Sequence, residues 1–149
     1  MRVLGIVPCA DGVGLAVVEN GTNSGTHFIA ADPSDDSAPD IRLARVMCDL
    51  SIEMPDNLDV VAVGTTANRS RDTNLLLGIT LACIGNLRGT AQDAIKLIVT
   101  AAPYRRTARR KPALRREEVA ALLLARNVYD VEWNQHDTQA GKRRQETGR

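Results

Sequence analysis

The chain has 149 residues, 44% hydrophobic and 25% charged, with a formal net charge of +1. These values describe one globular domain that can bury its own core without disulfide or metal staples. Cys9, Cys48 and Cys83 are widely spaced and form no C-x-x-C pair, which argues against a disulfide framework or a cysteine zinc site. The aromatic residues are Phe28, Tyr104, Tyr129 and Trp133, too few for a surface that works by stacking many bases.

The N-terminus reads as a strand with one arginine rather than a leader peptide. No apolar run approaches the ~18 residues of a membrane span, so a cytoplasmic protein with no membrane partner is expected.

Residues 2–8 are almost continuously apolar and predict a strand buried on both faces. Ala10, Asp11 and Gly12 supply a turn into a second strand over 13–19. Asn20-Gly21 is another turn signal, and 26–31 predicts a third strand. Three strands joined by short turns form an antiparallel meander. The segment 32–40 is rich in Asp, Ser and Pro and reads as an exposed loop. Apolar residues at helical spacing then predict a helix over 40–54, with Asp40 as N-cap and Pro55 as the stop.

LDVVAVGTT (58–66) is a buried fourth strand and 67–74 a polar loop. The apolar segment 74–89 predicts a second helix, which 91–94 either extends or follows as a short turn. Along it Gly78, Ala82 and Gly85 permit close approach of another element: either the sheet or, over 74–87, a second copy in a homodimer. Residues 95–103 form a fifth strand. REEVAALLLARN (116–127) is an amphipathic helix with two Glu in its first turn, where the helix dipole favours negative charge. Residues 128–133 are ambiguous. The expected domain is 1–140, with 141–149 a polar basic tail expected to fray.

The order β-β-β-α-β-α-β-α predicts an α/β fold. Its mixed five-stranded sheet, a three-strand antiparallel meander followed by parallel strands, carries helices on both faces.

Charge is unevenly spread. Residues 1–103 carry seven basic and twelve acidic side chains, whereas 104–149 carry twelve basic and six acidic. The segment 105–116 holds Arg105, Arg106, Arg109, Arg110, Lys111, Arg115 and Arg116 with no acid. Such a run can neutralise phosphates and bind DNA or branched nucleic acid without sequence preference. It can equally be a solvated loop, one that pairs with the acidic loop 32–40, or a surface for a protein partner. Within it only Tyr104, at its edge, could stack on a base. Cys9 lacks an identifiable base to activate it and His27 has no visible partner, so both read as structural.

MRVLGIVPCADGVGLAVVE resembles the opening of the RuvC-type Holliday-junction resolvases, which reads roughly R-x-L-G-I-D-P-G, four residues, then G. Arg2, Leu4, Gly5, Ile6, Pro8 and Gly14 match without a gap. LDVVAVGTTANRS resembles that family's fourth strand, which reads A-I-E, and LLLGITLA the helix start that follows it. REEV resembles its K-x-x-V helix, with Arg116 at the Lys place. HDTQA resembles its terminal [DH]-x-x-D-A motif. The resemblance spans about residues 2–140 and implies the RNase H-like fold.

It also implies a place for chemistry. Nucleases of this kind hydrolyse phosphodiesters with two divalent ions ~3.5–4 Å apart. Carboxylates from strand one, strand four and the last helix hold Mg²⁺ or Mn²⁺. Carried over, the acid positions are Val7, Gly64 and Gln139, with His136 at the variable fourth. None of Val7, Gly64 and Gln139 is an acid.

The resemblance therefore implies a pseudonuclease with no catalytic residues and no metal, retaining a scaffold for nucleic-acid or protein binding. One alternative is a divergent structure-specific endonuclease that recruits Mg or Mn through Asp137 or Asp11. The other is an assembly or regulatory protein that binds no nucleic acid.

Overall fold

The computed structural model describes residues 1–31, 38–66, 70–90, 95–104 and 114–147. The side chains of 39, 40, 87–90 and 136–147 also fall outside the description. The acidic loop 32–37, the segment 91–94 and the basic positions Arg105, Arg106, Arg109, Arg110 and Lys111 therefore lie outside the described residues.

Among the described residues, eight elements follow in the expected order: β1 (Arg2–Cys9), β2 (Gly12–Glu19), β3 (Thr22–Ala30), α1 (Pro39–Glu53), β4 (Val60–Thr65), α2 (Arg71–Thr90), β5 (Lys96–Ala101) and α3 (Arg116–Thr147). One sheet has the order β3-β2-β1-β4-β5. The β1–β2 and β2–β3 pairs are antiparallel, and β1–β4 and β4–β5 parallel. This is the mixed sheet the sequence predicts.

The continuous apolar runs are explained by layers on both faces. On one face Leu4, Ile6, Val13, Leu15, Val61 and Val63 pack with Val46 and Leu50 of α1 and Leu76 and Ile84 of α2. On the other, Val3, Val7, Ala16, Val18, Val60 and Ala62 pack with Ala120, Ala121, Leu124, Ala125 and Val128 of α3. Along β1 successive side chains alternate between these two cores, so neither face tolerates a polar residue.

The α3 face is lined by small residues because the helix lies unusually close. A Cβ at Gly5 would sit 2.2 Å from the Ala121 carbonyl oxygen, and one at Gly14 2.5 Å from the Glu117 carbonyl carbon. The glycines shared with the resolvase pattern thus have a packing reason: only a bare backbone admits α3 there. Arg2 is also structural. Its guanidinium donates to both Glu19 carboxylate oxygens at 3.1 Å and to the Asp56 carbonyl at 2.6 Å, while its backbone N–H donates to Asp59 Oδ2 at 2.8 Å.

Three local readings change. Ala38, not Asp40, occupies the N-cap of α1, with no side-chain cap. Pro39 supplies the first helical residue with its preset φ, and the Ala38 carbonyl accepts from the N–H groups of Ile41 and Arg42. Strand β3 begins at Thr22 rather than 26, because its polar residues suit an edge. A register shift at Val17/Val18 and Gly25 at φ 154° bend that edge. Helix α3 does not stop at 127 but runs to Thr147. Residues 116–140 contain neither Gly nor Pro, so nothing in the chain interrupts the helix.

The small residues of α2 do not face the sheet. A Cβ at Gly78 or at Gly85 would meet no atom within 4 Å. Among the described side chains of that helix, the buried ones are Thr73, Leu76, Thr80, Cys83 and Ile84. Among the described residues, no helix is long and apolar enough to cross a membrane.

Two glycine substitutions separate these environments. Gly5→Ala forces α3 away from β1 and is expected to cost about 3 kcal/mol. Gly78→Ala, in an open helical position, is expected to gain about 1 kcal/mol. Denaturant unfolding of both variants checks the opposite signs.

Candidate functional site at the carboxyl end of the sheet

The parallel register of β1 and β4 runs from Val3 opposite Val60 to Ile6 opposite Val63. Continued by one residue, it sets Val7 beside Gly64. A Cβ at Gly64 would indeed lie 3.0 Å from Val7 Cγ2. The sheet therefore brings together the two strand positions that the sequence comparison singles out. Neither offers an oxygen ligand from its side chain. Val7 is fully buried in the core beneath α3. The space beside Gly64 is also taken, since its Cβ would lie 2.9 Å from the Ala102 Cβ, closer than real Cβ atoms come.

Across β2 the same row continues. Val7 pairs with Gly14, and Gly14 with Phe28 of β3. Glu117 in the first turn of α3 rests on Gly14. From there α3 crosses to the opposite end of the sheet. The Tyr129 ring reaches Gly21 in the β2–β3 turn, 3.5 Å from where its Cβ would be. Glu132 accepts from Lys96 Nζ at 2.7 Å, at the start of β5.

This course decides the fate of the remaining predicted positions. Position 139 comes twenty-two residues after Glu117 on one helix, about 33 Å of rise at ~1.5 Å per residue. The structure does not bring positions 136, 137 and 139 to the Val7–Gly64 pair. The sequence reading ended the helix at 127 and left 128–133 ambiguous, whereas α3 runs on without interruption to Thr147. Asp11 is exposed in the β1–β2 turn, four residues from Val7 or about 13 Å along a strand. Its carbonyl accepts from the Ala31 N–H at 2.8 Å. Among the described residues, no group of three or more His, Cys, Asp or Glu is placed to hold a metal.

What does gather here is aromatic and basic. The guanidinium carbon of Arg115 lies 4.1 Å from the centre of the Phe28 ring, and that of Arg116 lies 4.4 Å from the centre of the Tyr104 ring. One face of Tyr104, which the sequence offered as a base-stacking surface, is thus occupied by an arginine. Of the seven predicted basic residues, Arg115 and Arg116 are within the description. The sequence signal for these ring partners was slight: two of only four aromatics, separated by 75 residues.

Two titratable groups share the neighbourhood. Burial pushes the Tyr104 phenol up to about 12, with the Glu117 and Cys9 charges adding and Arg116 opposing. Burial likewise raises the Cys9 thiol, against hydrogen bonds from the Asp11 backbone, with Glu117 raising it further. An activated thiolate needs the reverse. His27 is exposed on the edge strand β3, opposite Leu15.

No family model and no curated protein matches the chain. Solved structures do. Thermus thermophilus RuvC in complex with a Holliday junction substrate is similar, with a TM-score of 0.57 at 17% identity, over 89% of this chain and 96% of that one. A second T. thermophilus RuvC structure gives a TM-score of 0.55 at 18% identity over the same shares. The chain has the RuvC-like, RNase H-like fold.

The crowding at Gly64 is measurable. Gly64→Ala is expected to destabilise by about 1–3 kcal/mol, and Ala102→Gly in the same chain to recover part of that loss. A double-mutant cycle by denaturant unfolding reads the coupling.

Burial favours the neutral Tyr104 phenol. Its stabilising contribution is complete below pH 10, and is lost as pH rises from about 10 towards about 12, because the unfolded chain ionises first. Tyr104→Phe should flatten the fall of stability in that window, as followed by urea midpoints.

Proposed function

We propose that this protein is a pseudonuclease: a nuclease-fold scaffold that binds nucleic acid without cutting it. The observation that carries this reading is the Val7–Gly64 pair. Side chains with no oxygen stand where the strands of such a nuclease present acids, and Ala102 fills the space a longer side chain at Gly64 would need. Mg²⁺ and Mn²⁺ are hard cations that require carboxylate oxygens. The residues at this place do not fit a metal pair, and no hydrolytic step is derived through one.

The divergent-nuclease alternative loses support on the same geometry. Asp11 sits in an exposed turn, and position 137 lies on the stretch of α3 beyond Glu132.

The proposed ligand is the nucleic-acid backbone, contacted by the basic segment 105–116 at its junction with α3. Branched DNA is the first candidate, because the similar T. thermophilus RuvC is known in complex with a Holliday junction substrate. Self-association through 74–87 is compatible with this reading. It is favoured by the open stripe of Gly78 and Gly85 with exposed Leu75. A cytoplasmic location belongs to the same proposal.

A labelled four-way DNA junction and a linear duplex, incubated with the protein and Mg²⁺ or Mn²⁺, test the reading. The expected result is binding that weakens steeply between about 50 and about 200 mM salt, with no cleavage product. Reproducible metal-dependent cleavage, abolished by Asp137→Asn, would overturn it.

A further inference from the structure

Two cationic side chains of the fold are held by acids: Arg2 by Glu19 and Lys96 by Glu132. Arg115 and Arg116 differ. Both are exposed, and among the described residues neither guanidinium has a carboxylate partner. Each instead lies on a half-buried aromatic ring, Arg115 on Phe28 and Arg116 on Tyr104. The rings stand on different sides of α3, Phe28 on the β3 side and Tyr104 just after β5.

A guanidinium held over a ring face spends no N–H on a carboxylate, and its N–H groups are the fork that matches two phosphate oxygens. The contact also limits the rotamers of a side chain that otherwise loses up to ~2 kcal/mol of entropy when a ligand fixes it.

The backbone beneath is fixed too. The Arg115 N–H donates to Glu118 Oε1 at 3.4 Å, half of a capping box, and the Arg115 carbonyl accepts from the Val119 N–H at 3.1 Å. Glu117 between them is seated on Gly14. The Tyr104–Arg116 contact also joins the two ends of the chain segment that carries the other five basic residues.

We propose that Phe28 and Tyr104 are positioning residues for the nucleic-acid backbone: their ring faces hold the Arg115 and Arg116 guanidinium groups as two preset phosphate forks. This rests on the nucleic-acid reading above and deepens it. Phe28 is the less expected of the two, being far from the basic segment in sequence. It lies in the same cross-strand row as Val7 and Gly14. A chain without metal-binding acids would then hold phosphates through arginines fixed beside the place where cleavage is absent.

Fluorescence anisotropy with a labelled DNA duplex at fixed salt, on the full chain, tests this. Phe28→Leu is expected to weaken binding about two- to fivefold, and to have no effect when Arg115→Ala is already present. Tyr104→Leu should behave likewise with Arg116→Ala, while Tyr104→Phe, which keeps the ring face, should restore wild-type affinity. A merely structural role would weaken binding equally in both backgrounds, and circular dichroism with thermal melts shows whether each variant is folded.

If wild-type protein binds but the ring and arginine substitutions are additive, the positioning role is overturned and the nucleic-acid reading stands. Absence of salt-dependent binding by the wild-type protein overturns both.

Discussion

The close contact between α3 and the β1–β2 pair governs the rest of this molecule. Gly5 and Gly14 leave the sheet surface bare where Ala121 and Glu117 press against it, and Ala16 and Ala62 keep the neighbouring floor low. A helix seated on Gly and Ala approaches nearer than one seated on larger residues, and its own face is correspondingly small: Ala120, Ala121 and Ala125. Dispersion contacts in such an interface are dense, so a single added methyl is felt along the whole helix.

That seating has two consequences for the site. It sets the first turn of α3 over the Val7–Gly14–Phe28 row, which delivers Arg115 and Arg116 to their aromatic partners. It also aims the remainder of the helix away from that row, towards Gly21 and Lys96. The same contact thus gathers positive charge at the carboxyl end of the sheet and removes positions 136 and 139 from it. An acid at either position would have no short route back to Val7. At this place the two strands contribute no side-chain oxygen, and the last helix leads away from it.

The buried end of β1 is also electrostatically unreceptive to charge. Desolvation raises both the Cys9 thiol and the Tyr104 phenol, so these groups stay neutral in the ordinary pH range. Stability and proposed function are compatible here. Unpaired carboxylates clustered at Val7 and Gly64 would repel one another and pay desolvation, whereas Val and Ala fill the same volume with apolar contacts.

By itself the sequence determined the element order and the mixed sheet, which follow from local signals: continuous apolar runs for strands buried on both faces, and Gly- and Asn-bearing turns for the meander. That Val7 and Gly64 belong to one place was implied by the resemblance to the resolvase pattern, and the β1–β4 register sets them side by side. The sequence also determined that those two positions hold no acid. Tertiary structure alone decided the course of α3, which face of α2 stays open and which rings receive Arg115 and Arg116. Each of these depends on contacts between residues distant along the chain, and a helical pattern says nothing about where a helix points once it leaves the sheet. The absence of Gly and Pro from 116–140 is the local sign that α3 continues past 127.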